Sequence, residues 1–346
     1  MKESEAQAVT IDSSINRLPQ IWLLRLIPAM PYGRWWAAFT LFVGSLGIHF
    51  AAARLGGLDE WFGRQANFVL FFSTIIAYII PVYHLIIERT RLALRQLTPL
   101  LNAEIEQVAL WEDALATRPP RWTFIVLLIS VTLGILHNWL LWDSGLGMTR
   151  ALKQPDLLAT IISSSFIWIV MTFVIASLIS NALLFNRLSK RVHLDLLNTR
   201  ALTPFASVAV SSTLAIIGAQ AAFPILIFAG EMNPLAFVPG LFATGIPMLL
   251  LFFWPIWPVH RLLHHRKRRE LERVDGEIAR SPRPELNDQQ GLSELNSKLN
   301  YRREIEAVSE WPFDSSAVSR LLLYLIIPPL TWVGAALIEI LVDSAL

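Results

Sequence analysis

Seven long apolar runs alternate with polar segments along the chain, at residues 35–53, 67–87, 122–141, 157–185, 204–230, 235–259 and 318–342. A run of ~20 apolar residues is matched to the ~30 Å hydrocarbon layer of a bilayer. Lipid offers no hydrogen-bond partner to the backbone, so each run must satisfy its own N–H and C=O groups, which predicts a helix. Tilt or kinks absorb the excess where a run is longer than the minimum. The pattern therefore predicts an all-α, polytopic transmembrane helix bundle of about seven spans.

The polar segments have helical periodicity of their own. Gln20 to Ile27 is too short to span and predicts an interfacial helix on the membrane surface, ended by Pro28 and Pro31. In the segment 88–121, Leu94, Leu97, Leu101, Ile105 and Val108 recur in steps of three and four, which predicts a helix up to Ala116 with a kink at Pro99. Pro119 and Pro120 mark the turn into the third span. In the segment 260–310, Leu263, Leu271, Val274 and Ile278 precede the breaker Ser281-Pro282-Arg283-Pro284. Leu292, Leu295, Leu299, Ile305 and Val308 follow it. Two such halves predict an αα-hairpin or short antiparallel coiled coil reaching ~30 Å from the membrane. Lys267 and Arg302 interrupt its apolar stripe, so a packing partner is expected: the segment 88–121 or another subunit.

Charge fixes the expected orientation. The tail through Arg34 holds four Lys and Arg, the segment 88–121 five, the segment 186–203 four and the segment 260–320 twelve. The alternate segments hold only Arg54, Arg64, Arg150 and Lys153 out of a total of 29. By the positive-inside rule the N-terminus is cytoplasmic and the C-terminus outside. Tryptophans Trp35, Trp36, Trp122, Trp254, Trp257 and Trp311 fall at the predicted cytoplasmic boundaries, and Trp61, Trp139 and Trp142 at the outer ones, as amphipathic rings prefer. The resulting organisation is a cytoplasmic tail (1–34), six spans with a helical loop at 88–121 (35–259), a cytoplasmic hairpin (260–317), and a seventh span with a short outer tail (318–346). Only 16% of residues are charged, against about 25% in a soluble domain. The polar, acidic start of the chain predicts no cleaved signal peptide. With no cysteine, disulfides, thiol catalysis and cysteine-based metal sites are excluded.

The stretch Glu310-Trp311-Pro312-Phe313-Asp314, leading into Arg320-Leu321-Leu322-Leu323-Tyr324 and Ile327-Pro328-Pro329, resembles segments of uncharacterised bacterial multi-pass membrane proteins. So does Leu196-Leu197-Asn198-Thr199-Arg200 before Leu202-Thr203-Pro204-Phe205-Ala206. The resemblance implies a bacterial inner membrane and brings no activity, cofactor or catalytic residue with it.

Candidate chemistry is sparse. Ionisable and amide side chains within spans are functional candidates by default. His49, His137, Asn138, Gln220 and Glu339 all fall in the outer half of the bilayer and could converge on one polar site. His84 and Glu88 are spaced to form a structural pair. Pro328 and Pro329 sit near the middle of the seventh span, and Pro224, Pro239, Pro247, Pro255 and Pro258 punctuate the fifth and sixth. Each removes a helix hydrogen bond, and broken helices mark many transport sites. Ser207, Ser211, Ala215, Gly218 and Ala222 share one face of the fifth span, the signature of close helix packing. Arg261, Arg266, Lys267, Arg268 and Arg269 form a basic collar that could hold anionic lipid headgroups. The distal hairpin is net acidic, which argues against nucleic acid. His260 and His264 stand at i and i+4, but Arg261 occupies the place where a zinc-protease pattern needs Glu, and no metal or cofactor is expected. No nucleophile–base arrangement, carboxylate pair or phosphate loop supports an enzyme. Two functions remain: an oligomeric channel or passive transporter, or a membrane-anchored sensor or scaffold whose hairpin binds a partner or a second copy.

Overall fold

The structure is a computed structural model. It describes residues 19–57, 66–101, 103–141, 149, 153–193, 195–223, 225, 238–281 and 288–312, with isolated positions 323, 326, 330 and 334. Among these residues there are eight α-helices and no strand. They are α1 (Gly33–Leu55), α2 (Ala66–Leu97), α3 (Ile105–Ala114), α4 (Pro120–Leu141), α5 (Pro155–Ser189), α6 (Thr203–Gln220), α7 (Val238–Arg280) and α8 (Gln289–Ala307). Six helical segments, built on α1, α2, α4, α5, α6 and α7, are long and apolar enough to cross a membrane. They match the first six predicted spans. Of the seventh, only Leu323, Ile326, Leu330 and Gly334 are described, all helical. Pro328, Pro329 and Glu339 lie outside the described residues.

The bundle is layered around α2, which touches α1, α5 and α6, while α4 packs on α5 and α7 packs on α5 and α6. Ile75, Ile80, Tyr83 and Ile87 of α2 are nearly inaccessible. The outer helices show the reverse. Phe39 and Ile48 of α1, Phe124, Leu128 and Ile135 of α4, and Phe242, Ile246 and Leu249 of α7 are all more than half exposed. Apolar surface of that extent is incompatible with water and is what lipid contact requires. The chain is a multi-pass membrane protein.

At one end of the bundle, here called the stalk end, a second core joins segments distant in sequence. Leu94, Leu97 and Leu115 meet Phe185 and Leu188 of α5, Phe205 of α6, and Val259 and Leu263 of α7. This places the segment 88–121 against the base of the hairpin, the nearer of the two packing partners expected. That segment is not one helix. Pro99 has no N–H to bond back to Arg95, so α2 ends at Leu97, a 3-10 turn covers Thr98–Leu100, and α3 starts afresh at Ile105. The segment before α1 also differs from the interfacial helix expected of it. Trp22–Leu26 is a 3-10 turn. The Ile21 N–H donates to the Ala116 carbonyl (3.0 Å) and the Arg118 N–H to Pro19 (3.2 Å). Leu23 is fully buried, and Trp22 lies edge-on to Phe173 of α5. The chain start is thus a strap across the stalk end, because its Ile-Trp-Leu-Leu run finds protein, not headgroups, to cover it.

The sixth span does not break at its prolines. α7 runs 43 residues through Pro247, Pro255 and Pro258, roughly 65 Å at ~1.5 Å per residue. About half of that length exceeds the hydrocarbon layer and forms the first arm of the hairpin. Pro258 orphans the carbonyl of Trp254, four residues earlier. Asn186 of α5 donates to that carbonyl at 2.9 Å, which satisfies it and docks α7 on α5.

Candidate functional site

Between α2, α5 and α6 lies a cavity of about 140 Å³. Its wall is almost wholly apolar: Phe68, Phe72 and Ile79 from α2, Trp168 and Val174 from α5, and Ala219 from α6 are typical. Polar groups sit at its two ends and at one point between. His137, Ser164 and Thr244 line the end remote from the stalk, Tyr83 the stalk end, and Tyr78 the middle. The Tyr78 hydroxyl donates to the Ala215 carbonyl of α6 (3.1 Å). Gly218 makes this possible, because a Cβ there would collide with the Tyr78 hydroxyl. The small-residue face of α6 is therefore a close-packing face at Ala215 and Gly218, as its spacing predicts.

At the stalk end the Tyr83 hydroxyl hydrogen-bonds the Ser177 hydroxyl (2.7 Å). Behind them stands Arg118, only 7% exposed. Its Nη2 donates to Asn181 Oδ1 (2.7 Å) and to the Ser177 carbonyl (3.3 Å), and its Nη1 to the carbonyls of Thr117 (2.7 Å) and Ala114. Its guanidinium carbon lies 5.5 Å from the Trp122 ring centroid. Among the described residues no carboxylate pairs with it, and its Nε finds no acceptor. Burial is the main influence on the group and disfavours its charged form. From the sequence Arg118 reads only as one more positive-inside charge. The hint is its position immediately before Pro119-Pro120, where the chain turns into a span and a long side chain can fold inward.

Four of the five polar span residues are described, and three of them, His49, Asn138 and Gln220, hydrogen-bond to separate sets of partners. His49 is buried, with Nδ1 on the Ser45 carbonyl (2.9 Å) and Nε2 on Ser163 Oγ (3.2 Å). Asn138 donates to the Gly134 carbonyl (2.8 Å) and to Ser165 Oγ (3.2 Å). Gln220 donates to Thr244 Oγ1 (2.7 Å). The organising feature is the run Ser163-Ser164-Ser165 on α5. At 100° per residue its three hydroxyls fan out to α1, to the cavity and to α4. Only His137 lines the cavity directly, tilted against Trp168 (5.3 Å). At the second span's stalk end, Glu88 bonds Arg34 (2.9 Å), with His84 at 3.6 Å.

The hairpin base is a lock centred on Glu310. His264 contacts its carboxylate (3.0 Å), His260 Nδ1 meets its carbonyl (2.9 Å), and Lys267 donates to the Val308 carbonyl (2.9 Å). Trp311 stacks on His260 at 4.0 Å. The His264 hydrogen bond holds the Glu310 carboxyl below the usual carboxylate range. Higher up, Arg302 bonds Asp275 (2.6 Å) and Glu306 (2.8 Å). Lys267 and Arg302, the two charges on the apolar stripe, thus find partners inside the hairpin. Of the basic collar, Arg268 pairs with Glu272 (2.9 Å), whereas Arg261, Arg266 and Arg269 are exposed.

No known protein family, curated protein or solved structure matches the chain.

Proposed function

We propose that the protein is a membrane-anchored sensor or scaffold whose hairpin presents a rigid surface to a soluble partner. The observation that supports this best is the continuity of α7. One helix carries contacts with α5 and α6 in the bundle and ends as the hairpin arm, with α8 fastened back on its base through Glu310. A displacement of α7 in the membrane therefore moves the hairpin as a unit. The Lys and Arg distribution supports a cytoplasmic hairpin, a cytoplasmic N-terminus and an outer C-terminus. The resemblance of the Trp311-Pro312 stretch supports a bacterial inner membrane. Exposed Arg261, Arg266 and Arg269 at the hairpin base favour contact with anionic headgroups, and exposed Leu292 and Leu299 on α8 favour self-association through the hairpin.

The test is deletion of residues 283–310. Full-length protein, cross-linked in cells, should co-purify a defined soluble partner, and the deletion should lose it at unchanged membrane insertion. Identical recoveries from both proteins would refute the reading. A conduction role draws less support. The cavity wall between its ends is apolar apart from Tyr78, and Pro247, Pro255 and Pro258, three of the four prolines that punctuate the sixth span, lie within an unbroken α7. Selective flux in protein-containing liposomes would restore that role.

A further inference from the structure

The cavity is long and thin. On α2 it is lined from Phe68 to Ile86, with Tyr83 near the stalk end, and on α5 from Ser164 to Leu178. Fifteen residues from Phe68 to Tyr83 and fourteen from Ser164 to Leu178 both correspond to roughly 21–22 Å of helix. Its volume is about 140 Å³, small for a lining of that length. An apolar cavity of this volume is dry and takes up apolar ligands. A single extended acyl chain matches the length of the lining and its apolar wall.

The ends differ in charge. His137, Ser164 and Thr244 offer only hydrogen bonds, and the Thr244 hydroxyl already accepts one from Gln220. At the other end Tyr83 lines the cavity, and its hydroxyl bonds Ser177, which also contacts Arg118. A buried cation without a counter-charge is unfavourable in a low-dielectric surrounding, and an anion brought next to it relieves that cost. Tyr83 is only 1% exposed, so a compact head suits that end better than a substituted one.

We infer that the cavity binds a single-chain fatty acid, its carboxylate accepting from Tyr83 in the field of Arg118 and its chain lying between α2 and α5 towards His137. The site does not depend on what the hairpin binds. If Arg118 were only a clamp joining the α3–α4 turn to α5, removing it would lower stability without changing selectivity for a head group.

The test uses the full-length protein in neutral phosphatidylcholine nanodiscs and two probes, palmitate with a diazirine at the chain end and the matching long-chain alcohol. After illumination, labelled residues are mapped by peptide mass spectrometry. The acid should label the His137 end of the cavity, around Phe68 and Trp168, saturably and in preference to the alcohol. Arg118→Gln should weaken acid labelling on the order of tenfold, the scale of one charge-assisted hydrogen bond, and Arg118→Lys should retain most of it. Ala219→Phe, which fills the bore without touching Arg118, should abolish it. Equal labelling by acid and alcohol would overturn the inference. So would labelling confined to outward residues such as Phe39 and Leu128. Should Arg118→Gln fail to insert, the acid-to-alcohol ratio in the unaltered protein decides alone.

Discussion

Around Arg118 the polar bonds are few, buried and made to carbonyls, hydroxyls and amides. Along the hairpin they are many, exposed and made between full charges: Arg302 with Asp275 and Glu306, Arg268 with Glu272, Lys298 with Glu294. The same bond types have different weights in the two places. In water a lost partner is replaced by solvent, so an exposed ion pair contributes little. In the bundle no solvent replaces it, and an orphaned donor or acceptor keeps its full desolvation cost. The bundle therefore depends on a handful of irreplaceable contacts, while the hairpin depends on the sum of many dispensable ones, anchored by its base.

Substitutions should divide along that line. The largest effect is expected for Arg118→Ala, which takes the donor from Asn181 Oδ1 and from the carbonyls of Ala114 and Thr117. A loss of about 2–3 kcal/mol, from several buried acceptors left without a donor, should appear in denaturant titration of the detergent-solubilised protein. Gly218→Ala comes next, at about 1–3 kcal/mol for an overpacked interior site. Tyr78→Phe removes the colliding hydroxyl, so the double variant should recover part of that loss, and strict additivity would refute the close contact between α2 and α6. Asn186→Ala removes one exposed hydrogen bond to the Trp254 carbonyl and should cost about 0.5–1 kcal/mol, with greater mobility of α7 near Pro258 in spin-label spectra.

The smallest effect belongs to the hairpin base. The Glu310 carboxyl is held below its ordinary value of 4.5, chiefly by the His264 hydrogen bond. A depressed carboxylate stabilises the fold above its unfolded pKa, and that contribution is lost as pH falls through the lower, folded value. The α7–α8 base should therefore be tight at neutral pH and loosen only below about pH 4.5. A spin-label pair across the two helices, introduced without background because the chain has no cysteine, reports the change. Loosening already at neutral pH would contradict the Glu310 lock.

The bundle's architecture was largely legible because lipid imposes a simple rule: a long apolar run must be a helix. The first six spans follow from it, and the two helical arms follow from the three- and four-residue spacing of their apolar positions. Three features were hidden for physical reasons. The strap at Trp22–Leu26 has the composition of an interfacial helix, and only the presence of Ala116 and α5 within reach makes it a buried turn. One carbonyl that the prolines of α7 leave unbonded, that of Trp254, is satisfied by Asn186, a residue of another helix that no pattern within the sixth span reveals. The role of Arg118 depends on where its side chain turns, and charge counting treats an inward and an outward arginine alike. The polar span residues stand out in the sequence, but their hydrogen-bond partners were not legible. Two of those partners belong to the serine run at 163–165, whose small hydroxyls look like ordinary packing residues in a membrane helix.

The relay role assigned to α7 requires it to be stiff from bundle to hairpin. The direct measurement is the distance distribution between spin labels at positions 249 and 280, both exposed on α7. A continuous helix predicts one narrow distribution near 46 Å, from roughly 31 residues at ~1.5 Å each, shortened slightly by bending at the prolines. A broad or two-peaked distribution would mean that the hairpin hangs from a hinge at Pro255 or Pro258, and would contradict the account.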